Sequence, residues 1–269
     1  MSRPRSRRQA CRALLGTAAT LALLPRVGAA DGLPDLIERA KPSVVTVGTY
    51  AETDSPRFMF RGTGFVVADG LHVLTNAHVL RGAQVGGEER REFEVGVWTA
   101  GGGWHGRRAT PVHIDDEHDL ALLRFEGAPV PALTLATGPT VREGSSIALM
   151  GFPLGGQLGF AHVTHRGIVA ARVGVVLPAP SATALNPQVI SQLRRGGFEM
   201  LQLDAVAYPG NSGGPVFDAA SGEVVGIVNM VLLKGERETA LSAPSGISYA
   251  IPVAQGVALL NEHLSDDRK

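Results

Sequence analysis

The stretch 204-DAVAYPGNSGGPVFD-218 sets one serine, Ser212, between Gly210-Asn211 and Gly213-Gly214 and then runs into the apolar residues Pro215, Val216 and Phe217. Glycine, proline and asparagine favour tight turns and let the backbone approach other groups closely. Such a cluster is commonly a surface turn between strands. It also suits a nucleophile on a fixed loop, with backbone N–H groups converging on one spot. The residues after the serine discriminate between folds. Gly210–Gly214 satisfies G-x-S-x-G, the nucleophile elbow of α/β-hydrolases, which needs a helix directly after the serine and then an acid and a histidine. Here the serine leads into a proline and a strand-like run, and His263 is the only histidine downstream. The stretch reads as a loop entering a β-strand.

Working outward, strand-like runs bounded by Gly, Asp and Pro fill the chain. In the first half they are Ser43–Thr49, Thr63–Val67, His72–Ala77, Phe93–Trp98, Thr110–Ile114 and Leu120–Phe125. The second half holds Ser146–Gly151, His162–Ala171, Met200–Ala205, Pro215–Phe217, Val224–Leu233 and Ile247–Ile251. Two sets of about six strands predict an all-β fold of two antiparallel six-stranded barrels. They span about residues 42–126 and 140–253, with a proline-marked linker at Gly127–Gly138. A terminal helix over 253–264 carries Val257, Leu260 and Leu264 on one side. Gly101-Gly102-Gly103 reads as a hairpin loop and Pro178–Arg195 as an inserted active-site loop. No internal repeat is visible.

Composition fits a globular protein, with 44% hydrophobic and 19% charged residues in 269. The first thirty residues hold six arginines and no acid, then an apolar run Ala13–Leu24, then Gly28, Ala29 and Ala30. That is the layout of a signal peptide over 1–30, cleaved after Ala29 or Ala30. Ser6-Arg7-Arg8 adds a twin-arginine element. The apolar run is short for a bilayer span, so no stable membrane insertion is expected once the signal is removed. Removing the six arginines from a chain of zero formal net charge leaves −6. Basic residues form only short clusters, which argues against nucleic acid as a partner. The single cysteine, Cys11, lies inside the signal, so the exported part has no disulfide.

A serine hydroxyl is a weak nucleophile until a base takes its proton. Of eight histidines, His78 stands out by its context "VLTNAHVL", at the end of an apolar strand beside Thr75 and Asn76. The base in turn needs a buried carboxylate to orient it. In "HIDDEHDLALLRF", Asp119 directly precedes the apolar run Leu120–Leu123, whereas Asp115 and Asp116 read as solvated turn residues. A metal cluster of His113, Asp115 and His118 has no recognisable ligand spacing, and no metal or cofactor is expected. The N–H groups of Gly210 and Ser212 are candidates for an oxyanion hole.

"GTGFVVADGLHVLTNAHVL" (Gly62–Leu80), "HDLALLRF" (His118–Phe125), "PGNSGGPVFD" (Pro209–Asp218), "GEVVGIVNMV" (Gly222–Val231) and "GISYAIPV" (Gly246–Val253) together resemble the protease domain of HtrA-type serine proteases. These belong to the chymotrypsin-like double-barrel class. The resemblance runs from about Ser43 to the C-terminus in the order His, Asp, Ser, which makes 31–269 a protease domain. It implies His78 as general base, Asp119 as its orienting acid and Ser212 as nucleophile, with Gly210 and Ser212 as oxyanion-hole donors.

It further implies an exported serine endopeptidase, periplasmic or secreted, cutting unfolded or exposed segments of protein or peptide substrates. A binding module on the same fold is the competing class. Asn211 stands where digestive relatives carry an aspartate that pairs with a new N-terminus, so activation by N-terminal cleavage is not expected. The substrate pocket is expected to be walled by Val206 and Tyr208 and by Ile227, Val228 and Asn229, without charge. Tyr208 replaces the asparagine common in HtrA-type proteins. With one helix after the last strand, no PDZ domain is expected. The homotrimer common in the family stays open, since about a dozen residues precede the first strand.

Overall fold

The computed structural model describes residues 32–81, 91–99, 101, 103–155, 159–175, 198–229 and 246–266. The expected signal peptide and the inserted loop at Pro178–Arg195 therefore lie outside the described residues. Among the described residues twelve strands form two closed antiparallel barrels, as expected from the sequence. The first holds β1 (Val44–Tyr50), β2 (Phe58–Val67), β3 (His72–Asn76), β4 (Glu92–Thr99), β5 (Gly103–Asp115) and β6 (Leu120–Phe125). The second holds β7 (Ser146–Gly151), β8 (Val163–Val175), β9 (Phe198–Asp204), β10 (Pro215–Asp218), β11 (Val224–Asn229) and β12 (Ile247–Pro252). Neighbours run β1-β2-β3-β6-β5-β4 in the first and β7-β8-β9-β12-β11-β10 in the second. The two halves thus share one strand order without any visible sequence repeat.

Period-two alternation explains why several strands read as unbroken apolar runs. In β6, Leu120 and Leu122 face the second barrel while Ala121 and Leu123 fill the first. In β11, Ile227 faces between the barrels and Val228 fills the second. A register shift against β10 between Val224 and Gly226 breaks the alternation, so that Val224 shares the inter-barrel side and Val225 the second core. Most positions on both faces of such strands are buried, so apolar side chains occupy both. The largest apolar cluster is consequently the interface itself, where Phe65, Leu74 and Leu122 meet Met150, Phe152, Phe217 and Ile251.

Three α-helices and a 3-10 turn at Lys41–Ser43 complete the described fold. The terminal one, α3 (Val253–Asp266), packs Val253 and Leu259 into the inter-barrel cluster. A preceding helix, α1 (Leu33–Ala40), was not legible in the sequence; it carries a proline, Pro34, in its first turn and buries only Leu36 and Ala40. The one-turn α2 (Ala77–Arg81) carries His78, so that residue starts a helix just beyond its strand. Strand β5 begins at Gly103, seven residues before the stretch read as strand. Its early part, Gly103–Arg108, is half-exposed or exposed and shows no apolar alternation. Its partner β4 pairs through Thr99 and Gly103, as a hairpin at the triple glycine requires. The linker is stitched to both barrels, Leu133 N–H to Val66 C=O and Val224 N–H to Thr134 C=O, each at 2.9 Å.

Candidate functional site

Of the three residues that the motifs single out, His78 and Asp119 pair on the first barrel. Ser212 lies on a second-barrel loop tied to the first barrel by Thr63 N–H to Ser212 C=O at 2.9 Å. Among the described residues no hydrogen bond joins Ser212 to His78. Asp119 sits in the left-handed region at φ 55°, which aspartate tolerates, at the tip of the turn before β6. Asp115 builds that turn: its Oδ1 accepts the N–H groups of Glu117 at 2.9 Å and His118 at 3.1 Å. Its Oδ2 meets His118 Nδ1 at 2.6 Å. Asp115 is therefore a structural acid and not the solvated residue expected, whereas Asp116 is exposed and pairs with Arg81. Burial pushes the Asp115 carboxyl up, but the His118 bond and the two N–H donors outweigh it and leave it below the usual range.

Asp119, with its side chain 6% exposed, accepts His78 Nδ1 on Oδ2 at 2.5 Å and the His78 backbone N–H on Oδ1 at 2.8 Å. Its backbone carbonyl accepts Ala77 N–H at 3.0 Å and Asn76 Nδ2 at 3.1 Å. One acid thus fixes both the start of α2 and the imidazole it presents. With Nδ1 donating to a carboxylate, Nε2 is left as the ring's acceptor. Asn76 reads from the sequence only as a turn-forming polar residue.

Ser212 arrives from the second barrel on the β9–β10 loop and is 6% exposed. The glycines around it answer a steric demand. Gly210 has φ 104°, and a Cβ there would strike the Phe152 carbonyl. Gly213 has φ 84°, and a Cβ would strike Thr63 O and Thr75 Oγ1. The loop is held by Asn211 N–H to Tyr208 C=O and Gly214 N–H to Asn211 C=O, both 2.9 Å, and by Leu154 N–H to Pro209 C=O at 2.8 Å. In a trans peptide the N–H points opposite to the C=O. Engaging the Pro209 and Asn211 carbonyls therefore turns the Gly210 and Ser212 N–H groups the other way. Among the described residues neither of these two N–H groups takes an acceptor.

The expected pocket residues divide. Val206 and Tyr208 are half-buried on the loop before Ser212. The Tyr208 ring lies 6.0 Å from that of His165 on β8, whose imidazole burial pushes down toward the neutral form. Ile227 and Val228 put their side chains into the inter-barrel and second-barrel cores. Asn229 turns its amide to Asp119, Nδ2 donating to Oδ2 at 2.9 Å. Nothing local marks that partnership, since the two residues are 110 positions apart. Asn211 is fully buried, and neither its Oδ1 nor its Nδ2 has a hydrogen-bond partner among the described residues. Among those residues no group of three or more His, Cys, Asp or Glu is arranged to hold a metal. No described helix is long and apolar enough to cross a membrane.

Residues 62–227 match the family described as the trypsin-like peptidase domain. A probable periplasmic serine endoprotease, DegP-like, of Hahella chejuensis is 28% identical over 275 residues, covering 88% of this chain and 50% of that protein. A protein of the same description from Ectopseudomonas mendocina is 31% identical over 259 residues, covering 90% of this chain and 44% of its own length. The chain thus spans about half the length of these relatives. The crystal structure of the serine endoprotease from Yersinia pestis superposes with a TM-score of 0.60 at 24% identity, covering 87% of this chain and 67% of that one. At that identity the likeness speaks for the fold.

Proposed function

The chain belongs to the trypsin-like peptidase domain family, and on that premise we propose that it is an exported serine endopeptidase. Two observations support the reading: an acid–imidazole pair on one barrel, and a serine loop on the other, bonded to the first barrel through Thr63 N–H, whose Gly210 and Ser212 N–H groups are unengaged among the described residues. In this mechanism Ser212 Oγ attacks the scissile carbonyl while His78 Nε2 takes its proton. Asp119 stabilises the imidazolium through Nδ1. The carbonyl oxygen, now an anion, accepts from the Gly210 and Ser212 N–H groups. Collapse of the tetrahedral species breaks the C–N bond, and His78 returns the proton to the departing amine. Water then repeats the sequence on the acyl-enzyme, releasing the acid and restoring Ser212.

The substrates are protein segments, unfolded or exposed, entering the cleft as extended chain. The basic and apolar N-terminal thirty residues, with relatives named as periplasmic, support export to the periplasm or beyond. An active-site fluorophosphonate tests the reading directly. Labelling of the wild type, absent in Ser212→Ala, together with casein hydrolysis that vanishes in the same variant, is the expected result. A folded wild-type protein that neither labels nor hydrolyses would favour a binding module on the same fold.

A further inference from the structure

We infer that Thr63 is a positioning residue for the oxyanion site, its hydroxyl holding the Gly210 peptide in the orientation that catalysis needs. The inference rests on the endopeptidase reading of the cleft. Thr63 lies on β2 of the first barrel, fully buried, and bridges to the nucleophile loop of the second. Its Oγ1–H donates to Gly210 C=O at 2.6 Å, and the same oxygen accepts Phe152 N–H at 3.2 Å. Its backbone N–H donates to Ser212 C=O at 2.9 Å, and its own carbonyl accepts Thr75 Oγ1–H at 2.7 Å. Every polar atom of the residue is committed.

The need for such a residue arises at Gly210. With φ at 104°, it occupies a region open to glycine, and glycine populates both signs of φ readily. Its own torsional preferences therefore cannot hold the N–H on target. The orientation has to be imposed on the two peptide planes flanking its Cα. Leu154 N–H fixes the plane before it through Pro209 C=O, and the Thr63 hydroxyl fixes the plane after it through Gly210 C=O. Without the hydroxyl, the second plane keeps only the Asn211 N–H bond to Tyr208 C=O. Its rotation then carries the adjoining N–H donors off the oxyanion position. Valine in place of Thr63 keeps the shape of the side chain and the backbone bond to Ser212 while removing the donor to Gly210 C=O and the acceptor of Phe152 N–H; serine and cysteine keep an atom at that position.

The test compares wild type with Thr63→Val, Thr63→Ser and Thr63→Cys. It measures kcat and KM on a peptide substrate, the affinity of a peptide boronate and the thermal midpoint. The boronate adduct on Ser212 carries a tetrahedral oxygen in the oxyanion site, so it reports that geometry separately from substrate binding. Thr63→Val is expected to lose about ten- to a hundredfold in kcat and a similar factor in boronate affinity. KM should stay within about twofold, since ground-state contacts are untouched. Thr63→Ser, which keeps the hydroxyl, should restore both. Thr63→Cys, a weak donor of similar size, should fall between Ser and Val, and it carries the comparison if valine prevents folding. Wild-type kcat in the Val or Cys variant overturns the inference, as does equal impairment of Ser and Val, which would mark a packing role. An active wild type with unaffected variants leaves the endopeptidase reading standing. A wild type that fails to label with fluorophosphonate overturns that reading and this inference together.

Discussion

Asn229 Nδ2 donates to Asp119 Oδ2 at 2.9 Å, so the end of a second-barrel strand holds the carboxylate that orients a first-barrel imidazole. The side chain expected to wall a substrate pocket instead braces the acid.

Removing that brace should be felt in turnover. Asn229→Ala takes one donor from a nearly buried carboxylate, a charged hydrogen bond worth about 1.5–3 kcal/mol. We expect kcat to drop by about tenfold or more, with the preferred residue at the cleavage site unchanged. A shifted preference at undiminished kcat would return Asn229 to the pocket wall. Steady-state kinetics on two peptides differing at that residue distinguish the two.

Asp119→Asn keeps the shape but replaces the acceptor by an amide, which favours the wrong imidazole tautomer. Loss of kcat by roughly 10³–10⁴-fold with near-native stability is expected, by analogy with the same change in trypsin. Stopped assays alongside thermal melts would read both quantities on one preparation.

Asn211 has a buried amide without partners among the described residues, directly beside the candidate nucleophile. Asn211→Asp would bury an unpaired carboxylate, and about 3 kcal/mol or more of stability should be lost at neutral pH. Burial raises the pKa of such a group in the folded state. The penalty is therefore full above the folded pKa and disappears as pH falls below the unfolded value near 3.9. Denaturant midpoints of variant and wild type should converge in acid and separate at pH 8.

The His118–Asp115 pair gives a second pH signature. The bond to Asp115 holds the His118 imidazolium above its usual range, against the pull of burial. A raised histidine pKa contributes stability that is fully present below the unfolded value near 6.5 and lost as pH rises through the folded one. The lowered Asp115 pKa contributes above the unfolded value near 3.9 and is lost as pH falls through the folded one. Between those limits both are present. His118→Ala should therefore cost about 0.5–1 kcal/mol more at pH 5.5 than at pH 9, the modest scale of a partly solvated pair. Urea melts at the two values check the sign.

Specificity should be apolar. The half-buried run Val206–Gly210 before the serine carries no charge, and Tyr208 is laid against a His165 ring that burial keeps toward neutral. An unpaired cationic side chain would meet a desolvation penalty of at least about 1–3 kcal/mol there. Cuts after Val, Ala or Leu should outnumber cuts after Arg or Lys when a denatured protein is digested and its fragments sequenced by mass spectrometry. An excess of basic residues at the cut would contradict this pocket.

The double barrel was legible because its signals are local. Short apolar runs such as those of β6 and β11, and Gly/Asp/Pro turns between strands, reflect how much of each strand is buried, and that pattern is written residue by residue. His78, Asp119 and Ser212 stood out for similar reasons, each lying where an apolar strand meets a short motif. Helix α1 and the early part of β5 escaped notice because they bury little apolar surface, so nothing periodic marks them. The bonds that organise the cleft belong to another class. Thr63 reaches Gly210 across 147 positions and Asn229 reaches Asp119 across 110. A hydroxyl or an amide has many equivalent partners in an extended chain. Only the closure of both barrels, with their shared apolar interface packed between them, brings one particular acceptor within hydrogen-bonding reach and excludes the rest. The sequence determined the strands, the turns and the residue types at the cleft; the tertiary structure alone decided which buried polar group holds which.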